Sequence, residues 1–128
     1  MKMAKPHKVF ILCFNPERAK YYQALCEGVG LVYSSETQDG GKAYHWVKEN
    51  LPLLIIADIE AKLSHVKQTL MALDKTKATA QIPIVFVASA PSNSNAFAKQ
   101  FPHSQFFLKK EINSALLLKI VEYLQHDK

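Results

Sequence analysis

Leu53-Leu54-Ile55-Ile56-Ala57-Asp58-Ile59-Glu60 runs five apolar residues into a carboxylate. A short continuous apolar run, preceded by Pro52 and followed by a helical pattern, is the signature of a strand covered on both faces. The helical pattern is the spacing of Leu63, Val66, Leu70 and Leu73. A buried strand leading into a helix is the repeating unit of a parallel α/β sheet. In such sheets ligands bind outside the carboxyl ends of the strands, where this sequence places Asp58. The acid can be a phosphate acceptor, a metal ligand or a relic.

The same unit recurs on both sides of this stretch. Val9-Phe10-Ile11-Leu12-Cys13 predicts the first strand. Asn15-Pro16-Glu17 then predicts a helix start, with Asn15 as N-cap, Pro16 at the first helical position and Glu17 at the positive end of the dipole. Tyr22, Leu25, Cys26 and Val29 share one face of that helix, which ends at Gly28 and Gly30. Leu31-Val32-Tyr33 predicts a second strand, Asp39-Gly40-Gly41 a turn, and Ala43, Trp46 and Val47 the stripe of a short helix. Ile82 to Ala88 predicts the fourth strand, with Pro83 at its opening where no ladder donor is lost. A polar run from Pro91 to Asn95 leads into a short helix near Ala96 to Phe101, then Phe106-Phe107-Leu108 predicts a fifth strand and Ile112 to Leu124 a last helix. Five strands alternating with five helices fit a doubly wound, five-stranded parallel sheet.

Size and composition agree with one domain over residues 1–128, its core running from about residue 8 to 124. With 48% hydrophobic and 21% charged residues, the chain is an ordinary globular mixture. Cys13 and Cys26 are too few for a disulfide scaffold or a zinc site, and a reducing cytoplasm is the expected compartment. The apolar run of the first strand is too short for a signal-peptide core or a membrane span. The net charge of +5 comes from lysines spread along the chain, a pattern that argues only weakly for an acidic partner such as nucleic acid.

From Lys8 to about Leu124 the order of elements resembles the receiver domain of bacterial two-component response regulators. KVFILCFNPERAKYYQAL is similar to that family's first strand and helix, DGGKAYHWV to its second turn and helix, PLLIIAD to its phosphoacceptor strand, IPIVFVAS to its fourth strand and QFFLKKE to its fifth. The resemblance implies the flavodoxin-like receiver fold. It also implies a site in which an acidic pair after the first strand holds Mg²⁺, an Asp after the third takes a phosphoryl group, a Thr or Ser ends the fourth, and a Lys ends the fifth.

Two of those positions are retained: Asp58 at the acceptor and Lys109 at the lysine, followed by Lys110 where the family has proline. The acidic pair falls on Cys13 and Phe14, the hydroxyl position on Ala88, and the switch aromatic on Phe106, for which a core phenylalanine is expected. IEAKLSHV replaces the family's Met-Pro and Asp-Gly segment, so the loop there must differ in shape. Mg²⁺ needs an oxygen-rich shell, which a thiol and a phenyl ring do not supply, and phosphoryl transfer depends on that charge neutralisation. No cofactor is expected, Mg²⁺ included. Asp58 is then expected to form an ion pair with Lys109 in a disabled site. The sharper alternative is phosphorylation of Asp58 by a histidine kinase, with Glu17 or Asn15 as replacement metal ligands. Ser89 as a displaced hydroxyl sensor is disfavoured, because one residue along a strand points to the opposite face.

Other chemistry has no support. His7, His45, His65, His103 and His126 have no partner at metal-ligand spacing, and no glycine-rich phosphate loop or nucleophile with an adjacent base is present. The chain reads as no enzyme. On the last helix, Ile112, Leu116, Ile120, Tyr123 and Leu124 form the face expected against the sheet, and Leu117, Leu118 and Val121 then lie outside it. Those three are expected to form a partner interface, with a homodimer through this helix as one form. The sequence is best read as a stand-alone, degenerate receiver that signals through a protein partner, a histidine kinase or an output protein, without Mg²⁺-dependent phosphorylation. A phosphorelay receiver and a basic nucleic-acid-binding module are the alternatives.

Overall fold

The computed structural model describes residues 8–91 and 94–126, leaving aside the side chains of residues 94 and 95. Its strands are β1 (Val9–Leu12), β2 (Tyr33–Glu36), β3 (Leu54–Asp58), β4 (Ile84–Ala88) and β5 (Ser104–Leu108). Between and after them run α1 (Pro16–Glu27), α2 (Gly40–Asn50), α3 (Leu63–Asp74), α4 (Ser94–Gln100) and α5 (Ser114–His126). The strands form one parallel sheet in the order β2-β1-β3-β4-β5. This is the doubly wound sheet expected from the alternation, in the flavodoxin-like order that the resemblance implies, and its switch point lies between β1 and β3.

Alternation along the strands divides the core into two layers. Val9, Ile11, Cys13, Leu54, Ile56, Val85 and Val87 pack with α1 and α5 on one face, whereas Phe10, Leu12, Phe14, Ile55, Ala57, Ile59 and Phe86 pack with α2, α3 and α4 on the other. The same alternation places Asp58, two residues beyond Ile56, on the α1 side.

The predicted turn at Asp39 is instead the start of α2, where the Asp39 carboxylate accepts the Lys42 N–H at 3.0 Å. Glycine at position 40 lets α2 approach α3, because a Cβ there would stand 2.6 Å from Thr69 Oγ1. The second strand begins two residues later than its apolar stretch suggests. Leu31 is spent on plugging the end of α1, its N–H bonded to the Cys26 carbonyl at 2.9 Å, and the polar Tyr33-Ser34-Ser35-Glu36 forms the edge strand. An edge strand with half-exposed side chains does not need the continuous apolar run that a central strand requires.

The last helix is rotated from expectation. Leu117 and Val121 are buried against the sheet, Leu118 is half-buried on the same cluster, and Tyr123 is 69% exposed. Leu117 and Val121 are therefore core residues and cannot form the partner interface expected of them. The apolar residues at 116, 117 and 118 allow either phase, and Ile112 with Leu117 and Val121 gives the stripe that meets α1. Leu116, Ile120 and Leu124 line a groove of about 770 Å³ with Phe107 near the amino ends of β4 and β5, at the opposite end of the sheet from Asp58.

Candidate functional site

Asp58 is the last residue of β3, and its side chain is fully buried. A carboxylate in that position needs donors on its oxygens, and helix α1 brings them. Asn15 caps α1, its side-chain oxygen accepting the Arg18 N–H at 3.0 Å, and Pro16 follows at the first helical position, as the sequence predicts. Arg18 and Tyr22 lie four residues apart and so share the face of α1 turned to the strand end. Asp58 Oδ2 accepts from Arg18 Nε at 2.9 Å and from the Tyr22 hydroxyl at 2.7 Å, with Arg18 Nη2 at 2.8 Å. Asp58 Oδ1 accepts the Glu60 N–H at 2.9 Å.

The network continues outward. Arg18 Nη2 also donates to Glu60 Oε1 at 2.8 Å, so one guanidinium bridges two carboxylates. Glu60 in turn accepts the Ser89 N–H at 2.7 Å and the Ser89 hydroxyl at 2.9 Å. Tyr22, Asp58, Arg18, Glu60 and Ser89 thus link α1, the end of β3 and the end of β4.

Electrostatics follow from this geometry. Burial works against the Arg18 charge, but the hydrogen bond and charge of Asp58, with Glu60, outweigh it and raise the Arg18 pKa. Glu60 is held below the usual carboxylate range by the Ser89 N–H first, against some desolvation, and then by the Ser89 hydroxyl and Arg18. Burial, then the hydrogen bond to Asp58, pushes the Tyr22 phenol up, which keeps it a donor. Burial and then the Asp58 charge push the Cys13 thiol up to about 11, so it is no thiolate ligand or nucleophile near neutrality.

The positions singled out in the sequence fall as follows. Lys109 is not the ion-pair partner of Asp58. Its ammonium lies 4.9 Å over the Tyr21 ring, while its carbonyl and that of Ile112 accept the Tyr21 hydroxyl at 3.3 Å. Asp58 pairs with Arg18 instead, because α1 delivers a longer, forked cation directly to Oδ2. Cys13 is buried on the Asp58 side of the sheet, with its thiol 3.5 Å from the Asn15 carbonyl. Phe14 turns away into the α2–α3 layer, where its ring meets His65 at 5.7 Å, and does not fill the crevice. Ala88 is buried in that same layer, and Ser89 is engaged by Glu60. Phe106 is half-buried against the α2–α4 layer. Glu17 is paired with Lys20 at 3.3 Å, and Asn15 is occupied as the cap of α1.

Sequence reasoning missed Arg18, Tyr21, Tyr22 and Glu60. The available signal was the spacing of Arg18, Tyr21 and Tyr22 on the helix that follows the switch-point strand. Among the described residues, no three His, Cys, Asp or Glu side chains are grouped as a metal ion would require.

The fold recurs in solved structures. The receiver domain of Francisella response regulator 1452 superposes with a TM-score of 0.72 at 18% identity, covering 95% of this chain and 99% of that one. A sensor protein from Polaromonas sp. JS666 gives a TM-score of 0.73 at 17% identity, with 95% of this chain and 98% of that chain covered. Chemotaxis response regulator CheY4 of Vibrio cholerae gives 0.71 at 16% identity over 92% and 98%. No protein-family model matches the sequence, and no curated protein matches it significantly.

Proposed function

We propose that this chain is a receiver-type signalling module that acts through contact with a protein partner, and that Asp58 is a fixed structural anion in it, not a phosphoryl acceptor. The observation that carries this reading is the double grip of Arg18 and Tyr22 on Asp58 Oδ2, with the carboxylate fully buried. An acceptor carboxylate must present a lone pair to an incoming phosphorus, and here Oδ2 is taken by two donors while Oδ1, which accepts the Glu60 N–H, lies on a side chain with no exposure. A cation is also already in place, at 2.8 Å.

The donor set does not fit Mg²⁺. A small hard cation asks for several oxygens at about 2.1 Å in octahedral array. At this strand end the nearby groups are a buried protonated thiol, a guanidinium, the Asp58 carboxylate with Oδ2 taken by Arg18 and Tyr22, and a Glu60 carboxylate already bonded to Arg18 and Ser89. A divalent cation would also be repelled by Arg18. Output without phosphorylation means one standing conformation recognised by a partner, and the likeness to receiver domains of response regulators and a sensor protein supports a signalling context. Among the described residues no helix is long and apolar enough to cross a membrane.

Titration with Mg²⁺ while following backbone amide shifts tests the reading. No saturable change is expected at Arg18, Asp58 or Ile59 at millimolar Mg²⁺, and a saturable shift centred on Asp58 would overturn it.

A further inference from the structure

Ser89 follows the last residue of β4 and is exposed, and a strand end of this kind is held by whatever bonds its first amide beyond the ladder. Here that bond is to a carboxylate. Glu60 takes both the Ser89 N–H and the Ser89 hydroxyl, at 2.7 and 2.9 Å. Glu60 is itself exposed and on a loop, so on its own it would spend its rotamer freedom among many positions. What removes that freedom is Arg18, which is anchored on the buried Asp58 and donates to Glu60 Oε1, the oxygen that also takes the Ser89 hydroxyl.

We infer that Arg18 and Glu60 form a clamp through which helix α1 holds the end of β4, so that the position of Ser89 is set by a residue it does not touch. The clamp has a closed state, with Ser89 bound to a fixed carboxylate, and an open state, with Glu60 free and the Ser89 N–H facing water. Both ends of the relay bias the same two-state contact, which is the physical requirement for coupling between them. A second tether follows the same plan at the neighbouring strand. The Tyr21 hydroxyl, one turn along α1, donates to the Lys109 and Ile112 carbonyls and pins the segment after β5. The α1 face Arg18-Tyr21-Tyr22 therefore governs the ends of β3, β4 and β5 together. This extends the proposed function by naming what fixes the standing conformation at the strand ends, and it needs no phosphodonor or metal.

Amide exchange at Ser89, measured by NMR on the full chain as a ratio to the Gln38 amide, an exposed N–H held in the same way by the Glu36 carboxylate, compares two local openings and so separates the clamp from overall stability. Arg18→Met is expected to speed Ser89 exchange about fivefold or more relative to Gln38, the lower end of ordinary coupling. Glu60→Ala should match that acceleration, and the double variant should add nothing further. Tyr21→Phe should leave Ser89 unchanged while loosening Lys109 to Ile112. Should Arg18→Met fold poorly, Arg18→Lys keeps the charge without the fork and is expected to give an intermediate ratio. An unchanged Ser89 ratio in the Arg18 variants, with Glu60→Ala still accelerating it, would overturn the inference. These ratios are read on the unphosphorylated chain, so a separate finding that Asp58 accepts a phosphoryl group would defeat the proposed function without deciding the clamp.

Discussion

Replacing Arg18 by methionine leaves the Asp58 carboxylate fully buried with the Tyr22 hydroxyl and the Glu60 N–H as its remaining partners. Methionine matches the length and much of the volume of the arginine stem, so the loss is chiefly one of charge and forked hydrogen bonding. Breaking a buried ion pair from one side costs about 3–5 kcal/mol, since it strands the other charge in a low dielectric. For a domain of this size that corresponds to a fall in Tm of roughly 10–20 °C. Asp58→Asn removes the other half but leaves Arg18, whose side chain is 27% exposed and still has Glu60, so its cost is about 1–2 kcal/mol. The double variant should recover part of the Arg18→Met loss, because no unpaired charge remains inside. Lys109→Met removes a cation lying over Tyr21 at 4.9 Å and is expected to cost about 1 kcal/mol or less. Urea denaturation of the set decides the matter. A Lys109→Met cost equal to or above that of Arg18→Met would refute the assignment of Arg18 as the counter-ion.

Three further outcomes follow from the packing and the buried thiols. Cys13 and Cys26 are pushed up to about 11 and about 12 from the ordinary 9.0, chiefly by burial. Above pH ~9 the unfolded chain releases thiol protons that the folded chain retains, so stability falls with rising pH, by at most about 1.4 kcal/mol per unit per thiol. Chemical denaturation through that window checks the slope, which Cys26→Ala should lessen. Leu117→Glu buries a charge where Leu117 has no exposure and should abolish folding by circular dichroism, while Tyr123→Ser, on the exposed side, should leave Tm within about 2 °C. Gly40→Ala drives a Cβ to 2.6 Å from Thr69 Oγ1 and should cost about 1–3 kcal/mol, which Thr69→Ala relieves in the double variant.

What could be read in the sequence was whatever depends on local pattern. The apolar runs of β1, β3 and β4 and the Asn15-Pro16 cap are local, and each falls within a residue or two of its predicted place. Asp58 at the sheet's carboxyl end follows from the same runs. The phase of α5 was misread because Leu116-Leu117-Leu118 satisfies two stripes equally, and only contact with α1 chooses between them. The edge strand β2 was misplaced because edge position, which excuses polar residues, is a property of the sheet and not of the segment. The counter-ion of Asp58 was the hardest to see. Lys109 stood at the expected place, but Arg18 lies 40 residues away on a helix whose rotation about its axis is fixed by tertiary packing. The spacing of Arg18 with Tyr21 and Tyr22 marks a shared helix face, but not that this face meets the end of β3.

The central claim is that the grip of Arg18 and Tyr22 on Oδ2, together with the full burial of the side chain, keeps Asp58 from accepting a phosphoryl group. Incubation of the wild type with a small phosphodonor and Mg²⁺, followed by intact mass measurement, tests it most directly. The mass is expected to stay that of the unmodified chain. A gain of one phosphoryl group that disappears in Asp58→Asn would contradict the account.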